Sequence, residues 1–460
     1  MSEIRVPLLA DDLVQWAIST VTSPLSALAR SRARAAIADV IACMIAGRDE
    51  PAVLAVKRSV RNWGEGRSGG NSEPIHLPAP FAALINGTAA HVLDYDDNFF
   101  PAISHASAVL VPTLLALGEE CNTHLARIIP AYIAGLEVQA ILGERMNPEH
   151  YELGWHATST LGTIGAAASA GLLLELPPLQ LRHALSLAAS LAAGSKKQFG
   201  TSAKPIHAGY AAMHGILAAK LAQAGIDAAA DVFEGPWGFL TQFTQGRMHT
   251  PSALESRTSL HIEKQGLTAK LYPSCMSTHL GIDGVLALRA SLDLDPDTIA
   301  EIEIAMPRFM IANLRFPVPT SREQARFSMH YCAAVAAIDG APRLHHFTMP
   351  HISRPDLAAL ATKVRMVPRA PSPETAHLPW GGDAEITVRL TSGEQISTGV
   401  AFPKGSHGHP MSEAEQEQKF SDCCANFAQP QHILAFYQAI RKPDDSLPLS
   451  AINAFLTGET

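Results

Sequence analysis

Asp94, Asp96 and Asp97 place three carboxylates within four residues, and His91 and His105 flank them. Like charges this close repel one another and are costly to bury without cations or hydrogen-bond donors, so the run calls for basic partners from elsewhere in the chain. Carboxylates, imidazoles and ammonium groups together are the equipment of acid–base chemistry on an anionic substrate. A solvated helix end would also carry an Asp run; the two histidines tip the reading towards a site. Phe99, Phe100 and Pro101, between the aspartates and His105, are placed to keep water out.

Four further stretches offer partners. Gly154-Trp155-His156 opens a helix of very small residues, where free N–H groups favour an anion and His156 either donates to a carboxylate or caps the helix. Lys204 and His207 stand just before an otherwise apolar helix. Lysine is ordinarily a surface charge, but Lys196, Lys197 and Lys204 gather in an interval nearly free of other charge. Lys270, Tyr272, Cys275 and His279 combine an ammonium, a phenol, a thiol and an imidazole within ten residues, although Cys275 also suits a small buried apolar position. Tyr331, in Arg326-Phe327-Ser328-Met329-His330-Tyr331, is either a site residue or core.

Composition narrows the classes. With 47% hydrophobic and 17% charged residues, the 460-residue chain reads as globular, and its length as two domains. A net charge of −8 without a basic run speaks against a nucleic-acid partner, so a small anion would be held by a local cluster. The six scattered cysteines lack metal-site spacing and fit a reduced cytoplasmic compartment. The N-terminus lacks the order of a secretory signal, and no uninterrupted apolar run approaches the roughly 18 residues of a membrane span. GxGxxG, P-loop, GxSxG and HExxH patterns do not occur in supporting contexts, which leaves acid–base chemistry without cofactor or metal.

The elements that must position these groups are mostly helices. Periodicity predicts helices over 26–46, 51–63 and 130–145, and the Gly, Ala and Ser of 162–174 and 208–224 predict close helix packing. Alternation then predicts strands over 300–306 and 384–391, the latter paired in a hairpin with 395–400. Helices are expected over 323–338 and 355–361, a proline-rich loop over 368–379, and helices again over 413–426, capped by Ser412, and 431–440. The expected fold is mainly α: a large helical domain over 1–268, an inserted α+β lid domain over 269–401, and C-terminal helices over 402–460 that return to the first domain.

Taken in order, Leu93-Asp94-Tyr95-Asp96-Asp97, Gly154-Trp155-His156, Lys204-Pro205-Ile206-His207-Ala208-Gly209, Tyr272-Pro273-Ser274-Cys275-Met276-Ser277-Thr278-His279 and Arg326-Phe327-Ser328-Met329-His330-Tyr331 resemble the MmgE/PrpD family along essentially the whole chain. The resemblance implies a helical domain with an α+β lid, a homodimer, and a site in the cleft between domains for a small di- or tricarboxylate. It implies catalytic roles for Asp94, His105, His156, Cys275 and Tyr331, and substrate binding by Lys204, Lys270, His207 and Tyr272. Asn98, Ala106 and Cys275 depart from the family's usual pattern. Among the family's activities the likeness implies a cofactor-independent iminodisuccinate epimerase, the alternative being a 2-methylcitrate dehydratase or cis-aconitate decarboxylase.

Overall fold

The computed structural model describes residues 8–69, 76–250, 259–292, 295–376 and 382–458. The N-terminal heptapeptide and the end of the 368–379 loop lie outside them. The chain forms two compact units, one of Met1–Lys197, Ala203–Ala269 and Ser412–Thr460, the other of Gln198–Ser202 and Lys270–Met411.

The first unit is helical. The Ser26 hydroxyl accepts the Ala29 N–H at 3.1 Å and so starts the helix Ala27–Gly47. Helix Leu125–Met146 begins earlier than periodicity indicated, with Pro130 inside it rather than at its start. It is long and apolar enough to cross a membrane, yet 83% of its apolar window is buried inside the protein, which makes it a core helix. Helices Ala79–His91 and Ala203–Gln223 touch backbone to backbone. A Cβ on Gly209 would stand 2.3 Å from the Leu84 carbonyl oxygen, and one on Gly87 2.8 Å from the Gly209 Cα, so larger residues would force the two helices apart. That approach brings the end of the first helix towards the start of the second.

A carboxylate–imidazole–carboxylate clamp ties the segment after residue 258 to the core helix. His261 lies 2.8 Å from Glu137 through Nδ1 and 2.7 Å from Glu144 through Nε2, while its backbone N–H donates to Glu137 at 2.7 Å. Burial works against the imidazolium, but the two carboxylates push its pKa up to about 9. A folded-state pKa above the unfolded value stabilises fully below about pH 6.5, and that contribution fades as pH rises through 9. Urea unfolding should therefore show roughly 3 kcal/mol less stability at pH 9.5 than at pH 6, a difference that His261→Gln removes.

The second unit carries a four-stranded sheet in the spatial order Val364–Pro368, Ile299–Met306, Ala384–Leu390, Gln395–Val400. The first pair is parallel and the other two antiparallel. Ile302, Ile304 and Met306 are fully buried on one face, as strand alternation requires, and Ile299 is fully buried beyond a register irregularity between Ile299 and Glu301. Two features depart from the sequence reading. The strand Val364–Pro368 was not anticipated: it has five residues, of which only Val364 is buried, and it ends in a proline that reads as loop. The helix expected over 323–338 is broken into Arg322–Ala325 and Met329–Ile338, because the Ser328 hydroxyl accepts the Tyr331 N–H at 3.1 Å and caps a new helix. Back in the first unit, Ser412 and Glu415 form a capping box that opens the helix Glu413–Cys424.

Candidate active site

Helix Ala79–His91 ends at His91, whose carbonyl accepts the Asp94 N–H at 3.1 Å, and Asp94 takes the left-handed conformation at φ 52°. All three aspartates are buried, and each has a different environment.

Asp96 is held between two imidazoles. His91 donates through Nδ1 at 2.9 Å to one carboxylate oxygen and lies 3.0 Å from the other, and His105 Nδ1 stands 3.0 Å from Asp96 Oδ2. Burial alone would favour the neutral acid, yet His91 and His105 hold the Asp96 carboxyl well below the usual range, so it is ionised. Asp94 Oδ1 accepts from the Lys204 ammonium at 3.0 Å and lies 3.8 Å from His105 Nε2. Asp97 accepts from the Ser107 hydroxyl at 2.6 Å, and Ser107 in turn meets the Tyr132 hydroxyl at 2.7 Å. Burial pushes the Asp97 carboxyl well above its ordinary value. The repulsion implicit in the sequence is thus relieved by one lysine, two imidazoles and a third carboxyl whose burial favours its uncharged form.

Lys204 lies in the first turn of helix Ala203–Gln223 and is 4% exposed, so it is not a surface charge. The other two lysines of its interval differ: Lys196 packs over the Tyr151 ring at 3.3 Å, and Lys197 is exposed. His156 occupies the N-cap position of helix Ala157–Leu173 without capping through its side chain. Its Nδ1 instead meets His207 Nδ1 at 2.9 Å. Burial lowers both pKa values, that of His207 to about 4, with positive neighbours adding to the effect. Both rings are therefore neutral near pH 7, one donating to the other. Gly194 makes this corner possible. Its carbonyl accepts the His156 N–H at 3.0 Å, its φ is 138°, and a Cβ there would stand 2.6 Å from the Ser159 Cβ. The His105 N–H is fixed on the Thr158 hydroxyl at 3.0 Å.

The first unit thus gathers Asp94, His105 and Lys204, with His156 and His207 as a second pair. His91, which the sequence reading noticed but gave no role, joins the two groups, its ring 4.4 Å from that of His105 and 5.9 Å from that of His156. Burial lowers the His91 pKa against the opposing pull of Asp96. The signal available in sequence was the spacing of His91 and Asp96 across a helix end. The ligand atoms of His91, Asp94, Asp96 and His105 lie within 4.8 Å of one another, a donor set with cation-binding character. The Lys204 ammonium supplies positive charge at Asp94.

The other four predicted residues belong to the second unit. Lys270 is fully buried. The Tyr272 hydroxyl donates to Asp283 at 2.6 Å, and Asp283 also accepts the Lys404 N–H at 2.9 Å, which gives Tyr272 a structural hydrogen bond. The Cys275 N–H donates to the Arg326 carbonyl at 2.9 Å, tying its turn to the segment that leads to Tyr331. Tyr331 is buried and donates its hydroxyl to the His346 carbonyl, and burial raises its pKa.

Compared with known proteins, residues 11–251 match the MmgE/PrpD N-terminal domain and residues 272–441 the MmgE/PrpD C-terminal domain. The cis-aconitate decarboxylase of Homo sapiens is 29% identical over 396 residues, which span 84% of this chain and 80% of that protein. A cis-aconitate decarboxylase-like protein of Aspergillus oryzae is 24% identical over 475 residues, covering 97% of each. The cis-aconitate decarboxylase of Aspergillus terreus is 24% identical over 422 residues, with 86% and 85% covered.

Proposed function

As this chain belongs to the MmgE/PrpD family, we propose that it is a carbon–carbon lyase that removes carbon dioxide from a cis-aconitate-like tricarboxylate, without cofactor or metal. The observation that carries this reading is the buried Lys204–Asp94–His105 group, a cation and an imidazole converging on one carboxylate at 3.0 and 3.8 Å. Such an array binds an anion and holds a proton beside it. The relatives named above are decarboxylases or resemble one, which supports this lyase reading over the iminodisuccinate epimerase expected from the sequence.

In the proposed reaction Lys204 and the neutral His156–His207 pair bind substrate carboxylates. The carbon–carbon bond to the departing carboxylate breaks, and its electron pair spreads over the adjacent double bond and carboxylate. His105 delivers a proton to carbon, so trianion and proton become carbon dioxide and an unsaturated dicarboxylate. Ionised Asp96 favours the imidazolium form of His105, and Asp94 orients Lys204 and His105. By likeness to the family, Lys270 and Tyr272 are assigned to carboxylate binding, and Cys275 and Tyr331 to proton handling. The proposed assembly is a homodimer.

Purified, chelator-treated protein incubated in D2O with cis-aconitate, 2-methylcitrate or iminodisuccinate, followed by proton NMR, tests this reading. Carbon dioxide and a deuterated unsaturated dicarboxylate from cis-aconitate are expected. Loss of water from 2-methylcitrate alone would make it a carbon–oxygen lyase. Deuterium entering iminodisuccinate, with both tricarboxylates untouched, would restore the epimerase.

A further inference from the structure

Lys419 is a charge that the proposed chemistry does not use, buried in the first unit. It lies in the helix Glu413–Cys424 and is 3% exposed. Its ammonium is 2.6 Å from Asp39, on helix Ala27–Gly47, and donates to the Tyr95 carbonyl at 2.8 Å. It also lies 4.1 Å from the centre of the Tyr95 ring. Burial disfavours the ammonium, but Asp39 outweighs burial, so Lys419 is charged.

Stability is a poor explanation for this arrangement. A buried ion pair seldom holds a fold better than apolar residues of the same volume, because desolvation offsets the attraction. The helix already has apolar anchors in the buried Phe420, Cys423 and Cys424. The informative contact is the third one. Tyr95 stands between Asp94 and Asp96, the carboxylates that face Lys204 and the two histidines, and Asp94 is in a left-handed conformation that residues other than glycine seldom adopt. Such a turn persists only when its surroundings fix it.

We infer that Lys419, aimed by Asp39, is a positioning residue: by holding the Tyr95 peptide it sets where Asp94 meets Lys204 and where Asp96 meets His91 and His105. The C-terminal helix is thereby part of the site's supporting structure. The activity readout rests on the lyase reading; the structural readout does not.

The test compares wild type, Lys419→Arg and the double variant Lys419→Met/Asp39→Leu, which removes both charges together. Nitrogen-15 spectra of histidine-labelled protein report the His91 and His105 rings, and kinetics on cis-aconitate report kcat and KM. The double variant is expected to melt near wild type, to shift both ring signals, and to lose about 100-fold in kcat with little change in KM. Lys419→Arg should restore most of both. Ring signals unchanged from wild type would overturn the inference, as would unchanged kcat in an active enzyme. A wild type inactive on tricarboxylates would sink the lyase reading alone, and the ring signals would still decide. Should the double variant fail to fold, Asp39→Asn carries the same readouts, with a smaller shift in the same signals expected and no shift contradicting the inference.

Discussion

Lys204→Met should lower kcat/KM on the tricarboxylate by roughly 10³-fold while also weakening the fold. The two losses have separate causes. Lys204 is the cation on Asp94 at 3.0 Å, and Asp94 is 3% exposed, so removing the ammonium leaves a buried carboxylate short of its counter-ion. Stranding a charge in this way costs about 3–5 kcal/mol. The activity loss comes from elsewhere: the ammonium is the cation of this group, and no neutral imidazole replaces it where charge develops on the substrate. Adding Asp94→Asn to Lys204→Met should therefore recover most of the stability and none of the activity. Recovery of both would make Lys204 a structural residue.

The second large effect is expected at Asp96. Asp96→Asn keeps the shape but replaces one carboxylate oxygen with an amide N–H, which cannot accept from an imidazole. His91 and His105 both rely on that carboxylate, at 2.9 and 3.0 Å. With the protonated ring of His105 no longer oriented and balanced by that carboxylate, kcat should fall by roughly 10³ to 10⁴, as when the carboxylate behind a catalytic histidine is neutralised. The pH dependence should change as well. The Asp96 carboxyl is held well below its ordinary value, so it stabilises the fold above about pH 4, and that contribution is lost as pH falls through its folded-state pKa. Acid unfolding of Asp96→Asn should be correspondingly shallower. Unchanged kcat together with an unchanged acid limb would contradict the role given to Asp96.

The helical character of the first unit was legible through the small residues of 162–174 and 208–224, Gly209 among them, whereas its partner Gly87 lies in a helix that carried no comparable signal. The sheet was legible where strands are long enough to alternate, as Ile299–Met306 is, and not where five residues end in Pro368. The site was legible in part. Three carboxylates in four residues demanded cations, and Lys204 stood out because little charge surrounds it. Lys419 gave no such signal. It follows Glu413, Glu415 and Glu417 in a polar helix, where a lysine reads as a solvated partner of nearby glutamates. Its burial depends on Asp39 and Tyr95, more than 300 residues away in sequence, which no local pattern encodes. The His156–His207 contact is hidden for the same reason: His156 precedes one helix and His207 lies in the second turn of another, and the pair forms only when those helices meet.

The proposed lyase reaction requires that a tricarboxylate bind at Lys204, His105 and the His156–His207 pair. The most direct test is a crystal structure of the protein soaked with propane-1,2,3-tricarboxylate, a saturated analogue that lacks the double bond needed to take up the electron pair. One carboxylate within hydrogen-bond distance of the Lys204 ammonium, with carbon facing His105, is the predicted result. Analogue bound elsewhere, with the Lys204–Asp94 contact undisturbed, would contradict it.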